Sequence, residues 1–149
     1  ELCMVEATGQ EILDALEMGA RVTPEESGGF LQVSGLTYEI HTYIPSSVTL
    51  DENNMFVSVD GEYRVKNVTV GGEPLDLSKT YTLACHNYLL KDAGDGYTMF
   101  QDNTFLLDSI MIDNQVLINY IVEGLGGVVG ADYADPHGQG RIVAVETAP

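Results

Sequence analysis

The most constraining feature is a junction near the start of the chain. An alternating apolar run, Leu2-Cys3-Met4-Val5-Glu6, gives way to Thr8-Gly9-Gln10-Glu11, which has the S/T-x-x-E form of a capping box. In that device the Thr8 hydroxyl and the Glu11 carboxylate each satisfy a backbone N–H left unpaired at a helix start. Ile12, Leu13, Leu16 and Ala20 then recur at helical spacing. The segment predicts a strand over Leu2–Glu6 and an amphipathic helix from Gly9 to about Ala20. Arg21 falls in the last turn, where a cation suits the negative end of the helix dipole.

Further on, breakers and alternation divide the chain. "TPEESGG" reads as a loop. "FLQVSGLTYEIHTYI" reads as one or two strands interrupted at Gly35, with Leu36, Tyr38 and Ile40 on one face and Thr37, Glu39 and His41 on the other. "PSSVTLDENN" is loop-like. "YRVKNVTV" alternates again, setting Tyr63 and Val65 against Arg64 and Lys66. Gly71-Gly72 closes a turn before the strand "TYTLACH". Lys91–Gly96 is a Gly/Asp loop. Gln115–Leu125 predicts a second helix, with Leu117, Ile118, Ile121 and Val122 on its apolar face. "GGVVGADYADPHGQG" is a glycine-rich loop and "RIVAVE" a last strand. Hairpin-like strands interleaved with two helices, without repeat or linker, predict one α+β domain over residues 1–149, with mixed or antiparallel strands.

Composition narrows the partners. The 149 residues can bury a sizeable core, and 44% hydrophobic residues mark a folded chain. No apolar run approaches the ~18–20 residues of a membrane helix. Six Lys and Arg against 23 Asp and Glu give a net charge of −17. Such a balance argues against a nucleic-acid polymer or an anionic membrane as partner, since both require clustered cations. The chain opens at Glu1 inside a strand-like run, which reads as a piece of a longer protein.

Several constellations are weak. Cys85-His86 are strand neighbours that point to opposite faces, so a cysteine nucleophile would need His41 or His137 instead. Two cysteines, Cys3 and Cys85, make no disulfide framework and read as free thiols, with a bridge between them left open. The histidines lack metal-ligand spacing, and "DENN" lacks the glycine and distal glutamate of a calcium loop.

Gly94-Asp95-Gly96 is more informative. Flanking glycines permit a sharp bend that aims one carboxylate into a cleft. A carboxylate can accept both hydroxyls of a ribose diol. Asn87-Tyr88 stands just upstream and Phe30 follows Gly28-Gly29, so two rings are available to stack on a flat base. Composition and spacing alone favour the simpler reading of a Gly-Asp turn beside two core aromatics.

The blocks "LCMVEATGQEILDALEMGAR", "GGFLQVSGLTYEI", "RVKNVTVGGEPLDLSKTYTLACHNYLLKDAGDGYTMF" and "DPHGQGRI" together resemble the C-terminal domain of the 5′-nucleotidase family. The likeness runs from the first residues to about Val143. It implies a fold of that α+β type and a role in hydrolysing nucleotide phosphate esters. It also implies an N-terminal metallophosphatase domain in the same protein that holds two divalent metal ions, while this chain holds no cofactor. In the resemblance, Phe30 and Tyr88 correspond to base-stacking aromatics and Asp95 to the carboxylate that holds the ribose hydroxyls. Gln32 and Asn87 sit where polar ligand contacts are expected. Leu89 competes with Tyr88 for the second stacking position, because the spacing to Asp95 is about one residue longer than in some members.

The family's metal ligands, catalytic His–Asp pair and phosphate-contacting arginines lie upstream of this chain, and Arg21, Arg64 and Arg141 form no basic cluster. The chain alone is therefore expected to bind nucleosides or nucleotides without hydrolysing them. The resemblance places the protein outside the cytoplasm, secreted, periplasmic or wall-attached. Set against this are a degenerate structural or interaction module of the same fold and a self-contained cysteine hydrolase.

Overall fold

The computed structural model describes residues 1–136 and 138–148. Its elements in chain order are β1 (Leu2–Thr8), α1 (Gly9–Ala20), β2 (Leu36–His41), β3 (Val48–Leu50), β4 (Phe56–Val59), β5 (Val65–Val70), β6 (Glu73–Pro74), β7 (Thr80–His86), α2 (Asn87–Leu90), β8 (Phe105–Met111), α3 (Asp113–Asn119) and β9 (Ile142–Val145). Single 3₁₀ turns cover Gly94–Gly96, Thr98–Phe100 and Ala131–Tyr133, and α3 continues into a π-helical turn over Tyr120–Gly124. This is the expected α+β fold with mixed sheets.

The capping box forms as the sequence predicts. Glu11 N–H donates to Thr8 Oγ1 at 3.2 Å, and Thr8 N–H donates to Glu11 Oε2 at 2.8 Å. Two sheets then flank α1. One has the antiparallel order β7-β1-β8, and the other has the order β6-β5-β2-β9, in which β2 and β9 run parallel. A separate hairpin joins β3 to β4. The helix packs on β1, β4 and β5. Cys3, Val5 and Ala7 from β1, Ile12, Leu16 and Met18 from α1, and Tyr38 and Ile40 from β2 form the core, together with Leu90, Tyr97 and Phe100.

Several expectations are corrected. Arg64, assigned by alternation to the polar face, is only 4% exposed. It lies just before β5, outside the regular pleat, so period-two reasoning does not reach it. Its guanidinium donates to the carbonyls of Ala20, Arg21, Thr23, Thr42 and Ile44. Glu17 is fully buried in α1, and its carboxylate accepts the N–H groups of Arg64 and Val65 at 3.0 and 2.8 Å. Burial raises the Glu17 pKa, opposed by those two backbone bonds and by the Arg64 charge.

The "PSSVTLDENN" segment is part strand, because β3 pairs with β4 across the tip at Asp51–Met55. Phe30–Val33 is not strand, and only Leu36–His41 of its block pairs. The strand β8 had no sequence assignment. The second helix begins two residues early, at Asp113, and none of its residues is buried. Leu117 and Val122 are each 59% exposed, so the expected apolar face is present but uncovered.

Candidate functional site

The site is built where β7 runs out into α2. Asn87–Leu90 makes one helical turn, and the backbone then reverses through a run of unusual conformations. Ala93, Asp95 and Gly96 have φ of 49°, 54° and 88°. A non-glycine residue at positive φ is uncommon, and here it turns the Asp95 carboxylate out of the chain's path. The turn is closed by Gly96 N–H to Ala93 O at 3.0 Å. Both glycines are required by close contact. A β-carbon at Gly94 would lie 2.2 Å from the Tyr88 ring, and one at Gly96 would lie 2.4 Å from the Asn54 carbonyl oxygen. The ring of Tyr88 therefore lies directly on the Gly94 backbone, and its hydroxyl donates to Asp95 Oδ1 at 3.2 Å.

Two other segments close on this turn. Tyr97 is completely buried, and its hydroxyl donates to the Gly29 carbonyl. Burial pushes its phenol well above the usual tyrosine range. That bond pins the Gly28-Gly29 loop so close that a β-carbon at Gly29 would meet Asp95 Cβ at 3.2 Å. From the opposite side comes the β3–β4 tip. Asp51 Oδ1 accepts the N–H groups of Asn53 and Met55 at 2.8 and 2.9 Å, and Asn54 takes a positive φ of 61°. Thr98 Oγ1 donates to Phe56 O at 2.8 Å and ties β4 to the segment beyond Asp95.

These pieces enclose an open cavity of about 710 Å³. Arg21, Ser27, Asn53, Asn54, Tyr88, Asp92 and Asp95 are its polar lining residues. The volume lies within the ~300–1,000 Å³ of small-molecule sites. Asp95 Oδ2 has no partner among the described residues, so the carboxylate can accept further donors. Arg21 caps α1 and donates from Nη1 to Met18 O at 2.8 Å, as its place at the helix end suggests.

Of the residues singled out in the sequence, Tyr88 and Asp95 line this cavity together. Tyr88 is 50% exposed, whereas the competing Leu89 packs against the core. Phe30 directly follows the Gly28-Gly29 wall but is half-buried against the core, and it does not line the cavity in this structure. Gln32 lies elsewhere, on a groove between β7 and β2. Asn87 stands at the start of α2, where its Oδ1 accepts from the Glu1 backbone nitrogen at 2.7 Å. Sequence reasoning missed Asn53, Asn54 and Met55, because "DENN" carries no signal that its hairpin folds over a distant turn.

The cysteine reading gains nothing. Cys3 and Cys85 face one another across β1 and β7 as free thiols, and burial raises the Cys85 pKa. His86 is engaged by Asp113 and His41 by Glu39 and Tyr43, while His137 lies outside the described residues. The described residues bring together no group of three or more His, Cys, Asp or Glu that could hold a metal ion. They therefore do not fit a dimetal centre.

Comparison with known proteins identifies the family. The family described as 5′-nucleotidase, C-terminal domain, matches residues 1–102. The trifunctional nucleotide phosphoesterase protein YfkN of Bacillus subtilis (strain 168) is 26% identical over 136 residues, which is 80% of this chain and 9% of that protein. A 5′-nucleotidase of Vibrio cholerae serotype O1 is 28% identical over 78% of this chain and 17% of its own length. The chain thus spans less than a fifth of these curated relatives. Among solved structures, a 5′-nucleotidase precursor from Thermus thermophilus superposes with a TM-score of 0.75 at 29% identity. That match covers 99% of this chain and 25% of the other.

Proposed function

Since the chain belongs to the 5′-nucleotidase C-terminal domain family, we propose that it is the nucleoside-holding part of a nucleotide phosphohydrolase. The single observation that carries this is Asp95, held at positive φ between two glycines that cannot be replaced without collision. A carboxylate so placed accepts the two hydroxyls of a ribose, one on Oδ2 and one on the free lone pair of Oδ1. The Tyr88 ring beside it offers a face for the base, an interaction of ~1–3 kcal/mol. Phe30, at the end of the Gly28-Gly29 wall, supplies the opposing face once its ring turns outward. Gln32 and Asn87, which stand away from this cavity, take no part in this reading.

The domain's work is positional. It fixes base and sugar so that the phosphate ester reaches a reactive centre carried by an upstream domain of the same protein, an effect worth several kcal/mol in well-oriented systems. That upstream domain holds the divalent metals, whose chemistry is to activate water and neutralise phosphoryl charge. The whole protein acts outside the cytoplasm, in keeping with the Thermus relative, which is described as a precursor. No helix among the described residues is long and apolar enough to cross a membrane.

The test is an NMR titration of the isotope-labelled chain with adenosine and with AMP. Shifts at Phe30, Tyr88 and Asp95 are expected, with a midpoint near millimolar, AMP little tighter than adenosine, and loss of binding in Asp95→Asn. With added divalent metal, the chain releases no phosphate. Silence with every nucleoside would transfer the chain to the degenerate structural class.

A further inference from the structure

Stacking and diol recognition leave a question that the cavity itself answers. Rings hold any base, because every base has a π-face, and the diol is common to all ribonucleosides. Discrimination needs polar groups that meet the edge of the base. Three polar side chains of the cavity are already engaged: Tyr88 donates to Asp95, and Arg21 is held on the helix end. The β3–β4 tip is different. Asn53 and Asn54 both line the cavity and are exposed, and among the described residues neither carboxamide makes a side-chain hydrogen bond. Their backbone is fixed instead, by Asp51 Oδ1 on the N–H groups of Asn53 and Met55 and by Asn54 N–H to Asp51 O at 3.1 Å. The tip is also seated on the binding turn, since the Asn54 carbonyl lies against Gly96.

Resting on the nucleoside reading above, we infer that the β3–β4 tip is the element that discriminates among nucleobases, through the carboxamides of Asn53 and Asn54. A carboxamide presents one acceptor and two donors in a plane, the pattern that pairs with the exocyclic group and ring nitrogen of a purine edge. Because the backbone is held and the side chains are free, the tip is ordered before the ligand arrives. The ligand class is therefore a nucleoside with hydrogen-bonding groups on its base edge.

The experiment titrates adenosine, inosine and purine riboside, which lacks the exocyclic group, into three proteins. These are the wild type, the double variant Asn53→Ala/Asn54→Gly, and Asp95→Asn. Glycine at 54 accepts the positive φ, so the hairpin keeps its turn. The wild type is expected to separate the three ligands by at least about fivefold, the low end for one carboxamide–base pairing. The double variant still binds, with the spread reduced to about twofold or less. Asp95→Asn weakens all three alike. Should the double variant fail to fold, Asn53→Ala alone is read in the same way. Unchanged ratios in the folded variant, no discrimination by the wild type, or loss of all binding in a folded variant each overturn the assignment. In the first two cases the Asp95 effect still supports the nucleoside reading. If the wild type binds no nucleoside, both fall together.

Discussion

The stretch up to Phe100 and the stretch after it solve the same problem in opposite ways. Every buried residue among the described positions lies at or before Phe100. Beyond it, Leu106, Ile110, Ile112, Leu117, Val122 and Val128 are all exposed, Val128 at 69%. The helices make the contrast sharpest. Helix α1 has β1, β4 and β5 to pack on and buries eight of its twelve residues. Helix α3 packs chiefly on its own continuation and buries none. Apolar periodicity specifies a helix and the face it would bury, but burial requires a second surface.

The contrast can be broken by mutation. Phe100→Ala is expected to cost ~3–5 kcal/mol, the usual loss for a buried aromatic. Leu117→Ala should stay within about 0.5 kcal/mol, as for a surface change. Urea unfolding measures both, and equal costs would erase the distinction.

A smaller effect tests the polar part of the core. Glu17→Gln leaves one of two buried N–H groups poorly paired, a loss of ~1–3 kcal/mol. The loss should depend on pH. Burial raises the folded pKa of Glu17 above its unfolded value. Between those values the folded state binds more protons, so the wild type loses stability as pH rises through that window. The gap between wild type and Glu17→Gln is thus widest near the ordinary carboxylate pKa and narrows above it. Unfolding curves from pH 4 upward that stay parallel would contradict this. Thr8→Ala is expected to cost about 1 kcal/mol through loss of the cap. If the amide protons of Gly9–Ile12 exchange no faster in that variant, the capping box is not what holds the start of α1.

Legibility followed the range of the forces. The capping box, the bounds of α1, the buried face of Tyr38 and Ile40, and the Gly94-Asp95-Gly96 turn were readable because neighbours in sequence determine them. Arg64 and Glu17 were not, because their partners are backbone groups brought from distant segments. The same holds at the cavity. Tyr88 and Asp95 lie seven residues apart and could be read together, whereas Asn53 and Asn54 reach Gly96 only through the folded hairpin. Leu89 could be separated from Tyr88 only once the core showed which of them it absorbs.

The crowding around Gly94 and Gly96 also bears on how such a cavity can change over generations. Its floor admits almost no substitution, since any side chain at either glycine collides with Tyr88 or with the hairpin backbone. The hairpin tip on its rim carries Asn53 and Asn54, whose carboxamides make no side-chain hydrogen bond among the described residues. On the proposed nucleoside reading, mutation can explore new ligands from the hairpin tip while the Asp95 turn stays the same, so preference drifts faster than the fold.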